Sequence, residues 1–93
     1  MTYRYRVYYE FNGSTKADPL RKKKTDGQIS DALEQVGFEL SVYLDDEEAT
    51  ITISPESERA IRLTLETTQP EAVVSRAVEK CLAGLDLFGS KLP

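Results

Sequence analysis

Histidine is absent from this sequence, which removes the commonest general base near neutral pH and the commonest transition-metal ligand. Most hydrolase chemistries fall with it, and a non-enzymatic protein without a cofactor is expected. Cysteine occurs once, as Cys81, so no internal disulfide can form and a reducing compartment is expected. The glycosylation spacing of Asn12-Gly13-Ser14 carries no meaning in that setting. No unbroken apolar run is long enough to cross a bilayer, and Met1 to Glu10 alternates charge with aromatics instead of offering the apolar core of a secretory signal. A cytoplasmic protein that does not engage membranes follows as the expectation. Glycine-rich loops of phosphate-cradling spacing are also missing, which leaves nucleotide hydrolysis unsupported.

The residues that could carry chemistry fail on context. Cys81 lies on the apolar side of a helical pattern with no base in reach, and reads as an inert core thiol. Asp45-Asp46-Glu47-Glu48 is acidic enough to attract a divalent cation, but consecutive carboxylates lack the alternating ligands and the glycine of a calcium loop. It reads as a solvated turn, and no metal site is expected.

The sequence does contain enough apolar residues for one core. Of 93 residues 40% are hydrophobic and 30% charged, a balance that suits a single globular domain over 1–93 and not a disordered chain. The net charge of −4 hides a division. Residues 1–24 hold seven Lys or Arg against two acids, and residues 25–93 hold five against fourteen. A basic first quarter beside an acidic remainder can mark a binding surface, or can be internal complementarity between neighbouring strands.

Along the chain, Tyr3 to Phe11 alternates aromatic and β-branched residues with polar ones and predicts a strand, ended by Asn12-Gly13. Arg21 to Lys24 predicts a basic loop, followed by a capping box in Thr25-Asp26-Gly27-Gln28. Ile29, Ala32, Leu33 and Val36 recur at helical spacing, with Gly37 as the expected stop. Phe38, Leu40, Val42 and Leu44, then Ile51 and Ile53, then Ile61, Leu63 and Leu65 fall on alternate positions and predict a three-stranded meander. Its reversals are the acidic turn and Ser54 to Glu58, where Pro55 removes a ladder donor. A second capping box in Thr68-Gln69-Pro70-Glu71 opens a helix with Val73, Val74, Ala77, Val78, Cys81, Leu82 and Leu85 on its apolar face; Gly84 is its expected stop and residues 86–93 a short tail.

The expected fold is thus α+β, a two-layer sandwich of a four-stranded sheet with two helices on one face, in the order β-α-β-β-β-α. Spatial order 1-2-3-4 is expected, the alternative being the first strand beside the last. The expected order of elements is similar to that of ribosome-associated hibernation factors, and its αβββα part to that of double-stranded RNA-binding domains, at the level of topology alone.

Two surfaces are candidates for function. One is the sheet face away from the helices, expected to carry Arg4, Arg6, Tyr8, Glu10, Glu39, Ser41, Tyr43, Thr50, Thr52, Arg62, Thr64 and Glu66. Within it Arg4, Arg6, Tyr8, Tyr43 and Arg62 are expected to form one protein-binding patch, because Tyr and Arg are enriched at interface hot spots. The other is the basic loop of Lys16, Arg21, Lys22, Lys23 and Lys24, which could neutralise phosphates or dock on an acidic protein. The function these support is a small non-catalytic protein-binding module, such as an adaptor, a complex subunit or a phage-type inhibitor, with a homodimer among the possible assemblies. The alternative is an RNA- or DNA-binding domain using the basic N-terminal quarter.

Overall fold

The computed structural model describes residues 1–11 and 23–93. They form β1 (Thr2–Tyr8), α1 (Asp26–Leu44), β2 (Thr50–Ser57), β3 (Ala60–Glu66), α2 (Glu71–Leu85) and β4 (Phe88–Lys91). All strand pairs are antiparallel, and the sheet runs β2-β3-β1-β4. The α+β class and the four-stranded sheet with two helices stand as expected. The chain order is β-α-β-β-α-β, the split arrangement of ferredoxin-like folds, which hosts many unrelated functions.

One expected strand is therefore corrected. Residues 38–44 continue α1, and the fourth strand is supplied instead by residues 88–91 of the expected tail. The pattern at 38–44 satisfies two periods at once. As a strand it would bury Phe38, Leu40, Val42 and Leu44 together; as a helix it extends the stripe Ile29, Leu33, Val36 by Leu40 and Leu44 and turns Phe38 and Val42 outward. The second is observed, with Leu40 fully buried, Leu44 at 3% exposure, and Phe38 and Val42 at 72% and 60%. Gly37 is inside the helix and does not stop it. A Cβ there would stand 3.1 Å from Ile53 Cδ1, so glycine lets α1 lie close on β2. The helix ends at Asp45, in the left-handed conformation at φ 50°, with its N–H bonded to Ser41 O. Its start is as expected, for Thr25 and Gln28 form a complete capping box.

The likeness to hibernation factors and double-stranded RNA-binding domains falls with that strand, since both rested on three consecutive strands after a short helix. Spatial order 1-2-3-4 is likewise overturned. β1 lies beside β3, the last strand of the expected meander, in register from Thr2 against Glu66 to Tyr8 against Ala60. Its other side pairs with β4, from Tyr5 against Lys91 to Tyr8 against Phe88. Glycine at 89 leaves room for Leu82, since a Cβ there would stand 2.5 Å from Leu82 Cδ1 and push that side chain aside. The ion pair of Lys91 with Glu71 ties β4 to the first turn of α2.

Two smaller expectations also change. Pro70, not Thr68, is the N-cap of α2 and makes no side-chain cap bond, while Asp86 at φ 57°, not Gly84, ends the helix. The hydroxyl that shapes this entry is Thr67: it donates to Asp46 Oδ2 at 2.6 Å and accepts from Gln69 N at 3.1 Å. β2 runs on through Pro55 to Ser57 instead of turning at Ser54, which an edge strand tolerates because one side of it needs no ladder donor.

Tyr3, Tyr5 and Val7 of β1 and Ile61, Leu63 and Leu65 of β3 pack against Ile29, Val36 and Leu40 of α1 and Val74, Val78 and Cys81 of α2. Each large apolar side chain so buried contributes roughly 1.5 to 3 kcal/mol. Of the expected core, Val7, Leu33, Leu40, Leu63, Val74 and Val78 are buried, Ile51 and Ile53 are partly buried, and Val42 is outside it.

These positions separate helix from strand at 38–44 by measurement. Leu40→Ala is expected to cost about 2 to 5 kcal/mol in urea unfolding, whereas Phe38→Ser should stay within about 0.5 kcal/mol. Equal large losses at both positions would place the segment in the sheet.

Candidate functional site on the open sheet face

Strand alternation decides which residues of β1 reach this face. Tyr3, Tyr5 and Val7 point to the helices, so Arg4, Arg6 and Tyr8 project from the opposite side. The ladders then fix their neighbours. Arg6 stands opposite Arg62 of β3 and Ser90 of β4, Arg62 opposite Ser54 of β2, Arg4 opposite Thr64, and Tyr8 opposite Phe88. Four of the five expected patch residues, Arg4, Arg6, Tyr8 and Arg62, thus share one face. Tyr43 does not join them: it lies on α1, 45% exposed, beside Val73 and Arg76 of α2 in a groove on the helical side. Glu39 and Ser41 move to α1 with it.

The face has an aromatic end and a charged centre. Tyr8 and Phe88 stack with ring centroids 5.9 Å apart and planes inclined by 25°. The Arg6 guanidinium carbon lies 5.1 Å from the Tyr8 ring centroid, within range of a cation–π contact. At the centre, Arg6 Nε donates to Glu56 Oε1 at 3.1 Å, and Arg62 Nε lies 3.5 Å from Glu56 Oε2. Glu56 follows Thr52 and Ser54 on the open side of β2 by strand alternation, and the β2–β3 register skips it between Pro55 and Ser57. The hydrogen bond from Arg6 holds the Glu56 carboxyl below the ordinary glutamate range, with the nearby positive charge of Arg62 acting in the same direction.

Of the basic loop, Lys16, Arg21 and Lys22 lie outside the described residues. Lys23 is exposed, and the Lys24 amide donates to the Tyr9 hydroxyl at 2.8 Å. Tyr9 is a buried core residue, so this end of the loop is tied to the helical layer. Phe88 and Glu56 are the site residues that sequence reasoning missed. Phe88 stood in the expected tail, and Glu56 in an expected reversal.

Elsewhere, a cavity of about 560 Å³ opens between α2 and β4, lined by Tyr5, Ser75, Glu79, Leu82 and Lys91 among others. The Tyr5 hydroxyl is buried without a hydrogen-bond partner among the described residues, and burial, then the neighbouring Tyr3 and Glu79, push its pKa up. Cys81 is buried, its thiol donating weakly to Val36 O at 3.6 Å, and burial raises its pKa to about 11. Such a thiol stays protonated and unreactive. Among the described residues no group of three or more His, Cys, Asp or Glu is arranged to hold a metal ion, and no helix is long and apolar enough to cross a membrane. No protein-family model matches this chain, and no curated protein matches it in sequence.

Two measurements follow from these environments. The Glu56 carboxylate should titrate by NMR below the ordinary value of 4.5. A depressed pKa means that its bridge to the arginines is complete above that value and is lost as pH falls through the lowered one. A midpoint at or above 4.5 contradicts the bridge. Tyr5→Phe should leave stability unchanged within about 0.5 kcal/mol or raise it, because it deletes an unpaired buried donor and keeps the ring; a loss above about 1 kcal/mol would reveal a partner for the hydroxyl.

Proposed function

We propose that this chain is a small non-catalytic binding module that takes a protein partner on its open sheet face. The observation that carries the reading is the continuity of Arg6, Tyr8 and Phe88: a guanidinium over one ring and that ring stacked on another, all from different positions of two paired strands. An amphipathic patch of this composition suits a protein anchor, since tyrosine loses little rotamer freedom on burial and arginine presents a planar fork of donors. The centre of the face is laid on β-strands with both flanks paired, so the patch is preorganised and little ordering is needed on binding. An adaptor, a complex subunit and an inhibitor all fit this mode of action, in an intracellular setting consistent with one buried, unreactive thiol.

The second reading is single-stranded nucleic acid, favoured by the Tyr8–Phe88 stack, because rings exposed on a sheet can stack bases irrespective of sequence. It assigns Arg4, Arg6 and Arg62 to phosphates in place of the loop lysines.

Affinity capture on immobilised protein, with nuclease added and wild type run beside Tyr8→Ala, tests the first reading. A nuclease-resistant protein held by wild type should be lost from Tyr8→Ala, with a cost of about 2 kcal/mol or more, roughly thirtyfold in Kd, once the partner is purified. Capture that ignores Tyr8→Ala, with Arg6→Ala equally silent, would remove the open face as the working surface.

A further inference from the structure

Arg6 and Arg62 face each other directly across the β1–β3 ladder, a placement in which like charges repel. One carboxylate holds them together, giving one oxygen to each guanidinium, at 3.1 Å from Arg6 Nε and 3.5 Å from Arg62 Nε. It comes from Glu56, the residue that the edge-strand ladder skips. The geometry is that of a two-pronged carboxylate receptor filled from the chain's own surface.

Nothing in the packing makes that filling permanent. Both ion pairs are exposed, and pairs of that kind are weak and screened by salt. A bulge residue stands outside the regular ladder register, so the Glu56 side chain can turn away while the flanking pairs of Pro55 with Ile61 and Ser57 with Ala60 remain.

We propose that the open face binds an acidic segment of a partner protein, whose carboxylate replaces Glu56 between Arg6 and Arg62 while a neighbouring apolar side chain packs on Tyr8 and Phe88. This deepens the reading of the open face as a protein-binding surface and rests on it. Charge distribution favours a short acidic peptide over a nucleic-acid strand. The cations Arg4, Arg6 and Arg62 are concentrated at the centre, whereas exposed Glu66 flanks them at one end and exposed Glu10 and Glu58 at the other. A strand with a phosphate at every residue meets those acids, while a peptide carries carboxylates only where its side chains place them. A carboxylate has two oxygens to divide between the two guanidinium groups, as Glu56 does.

The probe is a short fluorescein-labelled peptide of Glu and Asp with one central Phe, followed by anisotropy at low salt on the full chain. Wild type should bind it and should not bind the same peptide made with Gln and Asn. Glu56→Gln and Glu56→Ala should each bind about two- to fivefold tighter, the fold-change that loss of an exposed competing ion pair permits. Arg6→Gln and Arg62→Gln should each weaken binding roughly tenfold or more. Unchanged or weaker binding by both Glu56 variants, with unfolding midpoints like that of wild type, overturns Glu56 as the displaced group. Tighter binding of an oligodeoxythymidylate than of the acidic peptide overturns the proposal in favour of nucleic acid. If the peptide fails to bind while Tyr8→Ala still releases a native protein partner, the acidic chemistry is wrong and the open face stands; if neither effect is seen, both readings fall.

Discussion

β1 is hydrogen-bonded on both sides, to β3 and to β4, and the rest of the molecule depends on that pairing. Without it β2 and β3 are an isolated hairpin, a unit that is marginal in water at best. With it, Tyr3, Tyr5 and Val7 become the floor of the core, and both helices have a surface on which to bury their stripes. The same strand has to serve both layers, because its residues alternate. Each side chain that β1 commits to the helices commits its neighbour to the open face, so the core residues Tyr5 and Val7 are what hold Arg4, Arg6 and Tyr8 outward. A shift of one residue in the β1–β3 register would exchange the two sets and cost the core at once. The outward-facing patch is thereby as strongly specified as the core, although its own contacts are weak.

How far the sequence discloses this depends on how local each signal is. The alternation expected to run from Tyr3 to Phe11, which forms a strand as far as Tyr8, and the Thr25–Gln28 capping box are legible because a few adjacent residues carry them. Segment 38–44 is ambiguous at that range, since Leu40 and Leu44 satisfy both a period of two and a spacing of four. What resolves it is distant: the tight approach of Gly37 to Ile53, and an edge of β1 already occupied by β4. β4 itself has almost no local signature. Phe88-Gly89-Ser90-Lys91 includes a glycine and shows no alternation, and it becomes a strand because Leu87 is drawn into the core and Gly89 fits under Leu82. Arg4, Arg6, Tyr8 and Arg62 were legible as one face because alternation alone places them. Tyr43 was lost with the misread strand, and Phe88 gained its role from a ladder that joins opposite ends of the chain.

Local rules are also broken at the centre of the open face in a way that the core does not require. Arg6 opposite Arg62 is an unfavourable cross-strand pair, and Pro55 with a bulge weakens β2 beside it. Inner positions of the same strands pair apolar bodies across the ladder: Val7 meets Ile61 and the Tyr5 ring meets Leu63, all buried. Departures from local consistency gather where a protein works more often than where it merely folds. A sheet face that only needed to be wet would be satisfied by the threonines of the neighbouring row, Thr52 and Thr64, and would gain nothing from two opposed guanidinium groups.

The bulge at Glu56 gives that departure a physical logic. Two facing arginines on a central strand pair would repel in the free protein and lower its stability, yet the same closeness is what lets one planar anion engage both. A carboxylate carried on the edge strand relieves the repulsion while the face is unoccupied, and because it is exposed it does so without a large energetic commitment. Edge strands are also where a bulge disturbs least, since β2 has only β3 to keep in register. Repulsion and its relief are therefore distributed over three adjacent strands. The counter-charge between Arg6 and Arg62 thus comes from Glu56, carried at a position that the β2–β3 ladder skips.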